Sequence, residues 1–204
     1  MSLPAGDAEC SPRVAEALTH CLALMGGDAE AAAVLRASAA SYAAAWRGHF
    51  GREHDPSALL GEDNVFRYRP CRGIIARGAG SPPAQRLALL QALLAALTAD
   101  APLTLSLPRG EPWPWLEEHA GMTAVIESEA QLTERLRSGT FERLRVLAAV
   151  SLDVRAAAHE AGVAVIDAPA VATGRLELRW YLREQTVSRV RHRYGNVIEP
   201  AGTE

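Results

Sequence analysis

The chain has 204 residues, 49% of them hydrophobic, and a formal net charge of −3. It is long enough for one sizeable core or two small ones, and its near-neutral balance supplies no field that would steer it onto a polyanion. All 21 basic residues are arginine, which excludes Schiff-base chemistry, a phosphate-loop lysine and a lysine general base.

In chain order, "RVAEALTHCLALM" puts Val14, Leu18, Cys21, Leu22 and Met25 at helical spacing, and Gly26-Gly27 ends that helix. Asp28 is the expected N-cap of "AEAAAVLRASAASYAAAWRGHF", in which Leu35, Tyr42 and Trp46 share a side and alanines permit close packing. "GREHDPSALLGEDN" reads as a linker with Pro and Gly punctuation. From Val65 the pattern becomes strand alternating with helix. The strands are "GIIARG", "LTLSL", "TAVIE", "RLRVLAAV" and "AVIDAPA". The helices between them are "SPPAQRLALLQALLAALTAD", with Ser81 as cap and prolines in the first turn, "SEAQLTERLRSG" and "SLDVRAAAHEAG". Strands joined by crossover helices form a mostly parallel sheet covered on both faces. The expected fold is α/β: a Rossmann-like, mostly parallel sheet over 61–174, an N-terminal helical segment and linker over 1–60, and a C-terminal β-flap and tail over 175–204. Arg175 to Trp180 alternates in polarity, so a hairpin or flap is expected to leave the domain there.

Motifs that would carry chemistry are incomplete. Gly78-Ala79-Gly80 follows a strand and precedes a helix, which makes Gly78 and Gly80 weak candidates for a nucleotide site. Pro83 replaces the third glycine, and the paired prolines remove N–H groups that would cradle a pyrophosphate. The next strand ends at "SLPRG" without an acidic residue for a ribose. His49 and His54 lack the i, i+4 spacing of a zincin, and His20, His119 and His159 have no partner at ligand spacing, so no metal is expected. Cys10, Cys21 and Cys71 form no CxxC pair, and none sits in a Gly-rich loop. Glu117-Glu118 beside Trp115 reads as a solvated turn, and Trp113 with Trp115 as hydrophobes folding over the sheet. No catalytic residue is expected in this chain. No charged leader precedes an apolar run, and "LALLQALLAAL" falls well short of the roughly 20 residues of a membrane span. A cytoplasmic protein without a membrane span is expected.

The tail "LREQTVSRVRHRYGN" collects Arg183, Arg189, Arg191, His192 and Arg193 in a strand-like run. If extended, it places Ser188, Val190, His192 and Tyr194 on one side and Arg189, Arg191 and Arg193 on the other. That division suits a docking strand, half of an interface whose other half is missing from this chain.

Two segments, "DPSALLGEDNVFRYRP" and "HEAGVAVIDAPAVATGRLELRWYLREQTVSRVRHRYGN", resemble the C-terminal region of actinobacterial-type bifunctional proline utilization A enzymes, the proline dehydrogenase/L-glutamate γ-semialdehyde dehydrogenase family. The tail also resembles the flap of ordinary aldehyde dehydrogenases: Glu184, Thr186, Val187 and Ser188 match its E-x-[ST]-[VL]-S, and Gly195-Asn196 its end, whereas Tyr194 departs from the usual Gly. The resemblance implies a non-catalytic domain of the aldehyde dehydrogenase superfamily that caps the NAD-dependent aldehyde dehydrogenase module beside an FAD-dependent proline dehydrogenase. NAD and FAD belong to the parent enzyme and not to this chain. The catalytic Cys in its Gly-rich setting, the general-base Glu, the NAD-site Lys and the flavin barrel have no counterpart, so a fragment, an excised domain or a separate subunit is expected. The partner implied is the dehydrogenase module, in cis or in trans, with a homo-oligomer through the flap as a further option. The implied interface is Glu184, Val187, Ser188, Arg189, Val190, His192, Arg193, Tyr194, Gly195 and Asn196. Two other readings stay open: a free-standing Rossmann-like nucleotide binder or oxidoreductase, and a nucleic-acid binder using the Arg-rich tail.

Overall fold

The computed structural model describes residues 10–79, 83–109 and 122–191. Helix α1 (Pro12–Ala23) is capped by Ser11, whose Oγ accepts from the Val14 N–H at 3.4 Å. It ends before Gly26 and Gly27, both left-handed at φ +62° and +89°. Asp28 caps α2 (Ala29–Ala45), accepting from Ala31 N–H at 3.0 Å. A single π-turn, Trp46–Phe50, follows.

The sheet strands are β2 (Ile74–Arg77), β3 (Leu103–Leu107), β4 (Met122–Ile126), β5 (Arg143–Val146) and β6 (Ala164–Ile166), all parallel in the spatial order β4-β3-β2-β5-β6. All five stand where the apolar runs predict strands. Between them run α3 (Pro83–Thr98), α4 (Glu129–Ser138) and α5 (Leu152–Glu160). Ser128 and Gln131 form a reciprocal capping box on α4, and Ser151 caps α5. Along the central strand, Ile74 and Ala76 face a core built with α1, α2 and α3, while Ile75 faces a second core built with α4 and α5. The central strand β2 is buried at all four positions, as a strand covered on both faces should be. Helix α3 is buried from Leu89 through Leu97, lying between the sheet and the two N-terminal helices.

A correction concerns 175–180. The expected strand is instead a helical turn, α6 (Gly174–Glu177), and a 3₁₀ turn, Leu178–Tyr181. Gly174, Glu177, Leu178 and Tyr181 are the buried positions, a spacing that follows the helical period and not the period of two. Gly174 lies against the α2 backbone at Ser41, and a Cβ there would come within 2.8 Å of the Ala45 methyl.

Glu177 is wholly buried and ion-paired with equally buried Arg145 of β5, whose Nη2 lies 2.9 and 3.2 Å from the two carboxylate oxygens. The Tyr181 hydroxyl at 3.1 Å and the Val171 N–H at 3.0 Å also donate to the carboxylate. The Tyr42 hydroxyl of α2 donates to Val171 O at 2.7 Å. Burial pushes both phenols up, which keeps them as donors.

Strand β7 (Leu182–Val190) starts where the 3₁₀ turn stops and pairs antiparallel with β1 (Glu62–Pro70) as a separate two-stranded ribbon. The tail strand therefore has one partner within its own chain, and no strand among the described residues covers its other edge. No helix among the described residues is long and apolar enough to cross a membrane.

Removing one member of a buried ion pair strands the other charge, a loss of about 3–5 kcal/mol. Glu177→Gln should lower unfolding stability in urea by that order, whereas Tyr181→Phe should cost only about 1–2 kcal/mol. Equal losses would show that the hydroxyl and not the charge pair dominates.

Candidate functional site

The backbone register of the ribbon decides what its two edges can do. Phe66 and His54 exchange N–H···O bonds of 2.7 and 2.8 Å, so the polar groups of even-numbered β1 residues point away from β7. Bonded and non-bonded pairs alternate in an antiparallel ladder. The bonds to β7 therefore run through Asp63/Arg189, Val65/Val187, Arg67/Gln185 and Arg69/Arg183, and the Arg191 N–H extends them onto Gly61 O at 2.8 Å. The N–H and C=O groups of Glu184, Thr186, Ser188 and Val190 point to the outer edge, which no strand among the described residues covers.

The side chains of these four are exposed, and Val190 is 62% exposed although apolar. On the other face, Val187 is half-buried opposite Val65, Arg189 is exposed, and Arg191 Nε meets Asp63 Oδ2 at 2.5 Å. Of the expected interface, Glu184, Val187, Ser188, Arg189 and Val190 thus share one strand. His192, Arg193, Tyr194, Gly195 and Asn196 lie outside the described residues.

An aromatic cluster anchors the ribbon to the end of α2. The His49 and His54 rings are 4.7 Å apart, Tyr68 and Phe50 rings lie 4.8 Å apart, and Phe66 and Tyr68 meet edge-on at 5.1 Å. His49 Nε2 is 3.1 Å from the Tyr68 hydroxyl, and the His54 Nε2–H donates to His49 O at 3.0 Å. These two histidines are packing residues, brought together by the π-turn and the bridge to Phe66. Their sequence spacing gave no hint of this contact. Among the described residues no three His, Cys, Asp or Glu gather as a metal site.

The sheet order reverses between β2 and β5, where doubly wound folds bind nucleotides. Here the Gly78 N–H donates to Ser106 O at 3.2 Å, and the Leu147 and Ala148 N–H groups donate to Arg77 O at 2.8 and 3.2 Å. A Cβ on Gly78 would come within 2.6 Å of Leu89 Cδ1, so this glycine permits close packing of α3. Below it, buried Arg77 donates from Nη1 to Ser106 Oγ and Glu127 O, both at 3.1 Å. Gly80, Ser81, Trp113, Trp115, Glu117, Glu118 and His119 lie outside the described residues.

The three thiols sit in desolvated surroundings. Burial pushes the Cys21 thiol up to about 12 and that of Cys71 up to about 11, and desolvation also raises Cys10 despite nearby Arg47.

No protein-family model and no curated protein matches the chain. Solved structures do. Proline utilization A from Corynebacterium freiburgense is similar at 28% identity and TM-score 0.64, over 97% of this chain and 16% of that one. A proline utilization A described with proline bound in remote sites is similar at 19% identity and TM-score 0.53, over 76% of this chain and 19% of that one. An NAD-dependent benzaldehyde dehydrogenase from Corynebacterium glutamicum is similar at 10% identity and TM-score 0.53, over 80% of this chain and 41% of that one. The chain is thus similar in fold to part of proline utilization A and of an aldehyde dehydrogenase, and it spans only about a sixth of the first of these.

Partial burial, with Arg175 and His54 nearby, holds His49 below the ordinary histidine value. The folded protein therefore binds this proton less readily than the unfolded chain. Stability is full above the unfolded value of about 6.5 and is lost as pH falls below it. Thermal melts should show Tm falling below that pH, and His49→Gln should flatten the fall. An unchanged slope in the variant would assign the effect elsewhere.

Proposed function

We propose that this chain is a non-catalytic domain of a bifunctional proline dehydrogenase/L-glutamate γ-semialdehyde dehydrogenase, corresponding to the C-terminal domain of actinobacterial-type proline utilization A. In this reading it docks on the aldehyde dehydrogenase module, in cis or in trans, and caps it during oxidation of proline to glutamate. The observation that carries the reading is the open outer edge of β7, on a chain that resembles part of one proline utilization A over 97% of its length.

An exposed strand edge is a row of unmet donors and acceptors that another strand can complete. The segment Glu184-Gln185-Thr186-Val187-Ser188 combines that edge with the flap motif. Exposed Val190 gives the added strand an apolar contact. The raised thiols and the internally spent N–H groups at Gly78, Leu147 and Ala148 support a scaffold rather than a reaction centre.

Proline can be placed at Thr186 and Ser188 without losing a bond to β1, because their N–H groups point outward; edge strands tolerate it. Thr186→Pro/Ser188→Pro should keep the circular dichroism of the chain and abolish its co-purification with a proline utilization A aldehyde dehydrogenase module. Association unchanged by the double substitution would contradict docking through this edge. A deletion from Arg175 would be uninformative, because it removes Glu177, Leu178 and Tyr181 from the core.

A further inference from the structure

The ribbon face formed by odd-numbered residues opens at its base onto a cleft of about 540 Å³. Arg67, Arg69, Arg72 and Arg183 line it, with Gln185 between the strands and Asp100 at the rim. A single acceptor organises two of the guanidiniums: Gln185 Oε1 takes Arg67 Nε at 2.8 Å and Arg69 Nε at 3.4 Å. Both arginines are thereby aligned with terminal nitrogens left over.

The carboxylates nearby are already engaged. Glu53 takes Arg67 at 2.7 Å, and Glu142 is shared by Arg72 at 2.7 Å and Arg183 at 3.5 Å. Asp100 meets Arg13 at 3.0 Å. Arg69 has no carboxylate partner among the described residues, although it stands directly across the ladder from Arg183. Like charges placed opposite each other in a sheet are destabilising. This local excess of positive charge occurs on a chain whose net charge is −3, so it does not follow from overall composition.

We propose that this cleft binds a small phosphorylated ligand of the diphosphate class, with Arg69 and Arg183 as its principal contacts. Planar guanidinium forks match phosphate oxygens in paired, charge-assisted bonds. A dianion between Arg69 and Arg183 would remove their mutual repulsion. The site uses the side chains of one ribbon face and is independent of the outer backbone edge.

Calorimetric titration of the full chain with inorganic pyrophosphate at low ionic strength tests the assignment. Arg69→Ala/Arg183→Ala should weaken binding by roughly tenfold or more, whereas Arg155→Ala, which alters an exposed arginine paired with Asp167 elsewhere, should not change it. Arg69→Ala should also raise the Tm of the ligand-free chain, a gain that a purely structural arginine would not give. Absence of pyrophosphate binding, or equal affinity in the double variant, would overturn the proposal. So would tighter binding of an oligonucleotide or an acidic peptide than of pyrophosphate.

Discussion

The buried pair between Arg145 and Glu177 ties together parts of the chain that sequence keeps apart. Arg145 belongs to a sheet strand, Glu177 to the helical turn that launches β7, and the two are 32 positions apart. Two charges removed from water are costly unless their remaining bonding capacity is met. Here Tyr181 and the Val171 N–H complete the carboxylate, and Ala168 and Pro169 carbonyls accept from the guanidinium, whose buried Nε alone lacks an acceptor among the described residues. Gly174 adds a second lock, because the absence of a side chain lets the turn lie against α2. The ribbon therefore leaves the domain from a fixed point at Tyr181–Leu182, and its direction is set by the core.

That fixed origin lets one strand present separate chemistries. The even-numbered residues of β7 turn their backbone groups outward, and the odd-numbered residues spend theirs on β1. Side chains divide the other way, by face: Tyr68 and Phe66 sit with the histidines on one side, and the arginines lie on the other. The proposed strand-accepting edge and the proposed anion-binding face would thus not compete for the same atoms. The same division makes each role separable by substitution.

Much of the architecture was legible because it is local. Short segments rich in Leu, Ile and Val, alternating with helical stretches, marked the sheet strands, and Ser11, Asp28, Ser128 and Ser151 stood at helix starts where a side-chain oxygen can take a free N–H. The segment Arg175–Trp180 misled because six residues of alternating polarity fit either a strand or a short helical turn, and the deciding contact, Arg145, lies far away in sequence. The cluster of Arg67, Arg69 and Gln185 was out of reach, since pairing across 116 to 118 positions brings these residues together. The flap motif lies on β7, but it does not say which backbone groups are open; that requires the register with Phe66 and His54.

The central claim is that β7 offers its outer edge to an aldehyde dehydrogenase module. Residue-resolved amide hydrogen exchange, with and without that module, tests it most directly. In the free chain the amides of Thr186, Ser188 and Val190 should exchange fast and those of Gln185, Val187 and Arg189 slowly. Adding the module should slow the first set and leave the second unchanged. Outer-edge amides that stay fast in a mixture where the two proteins associate would contradict the account.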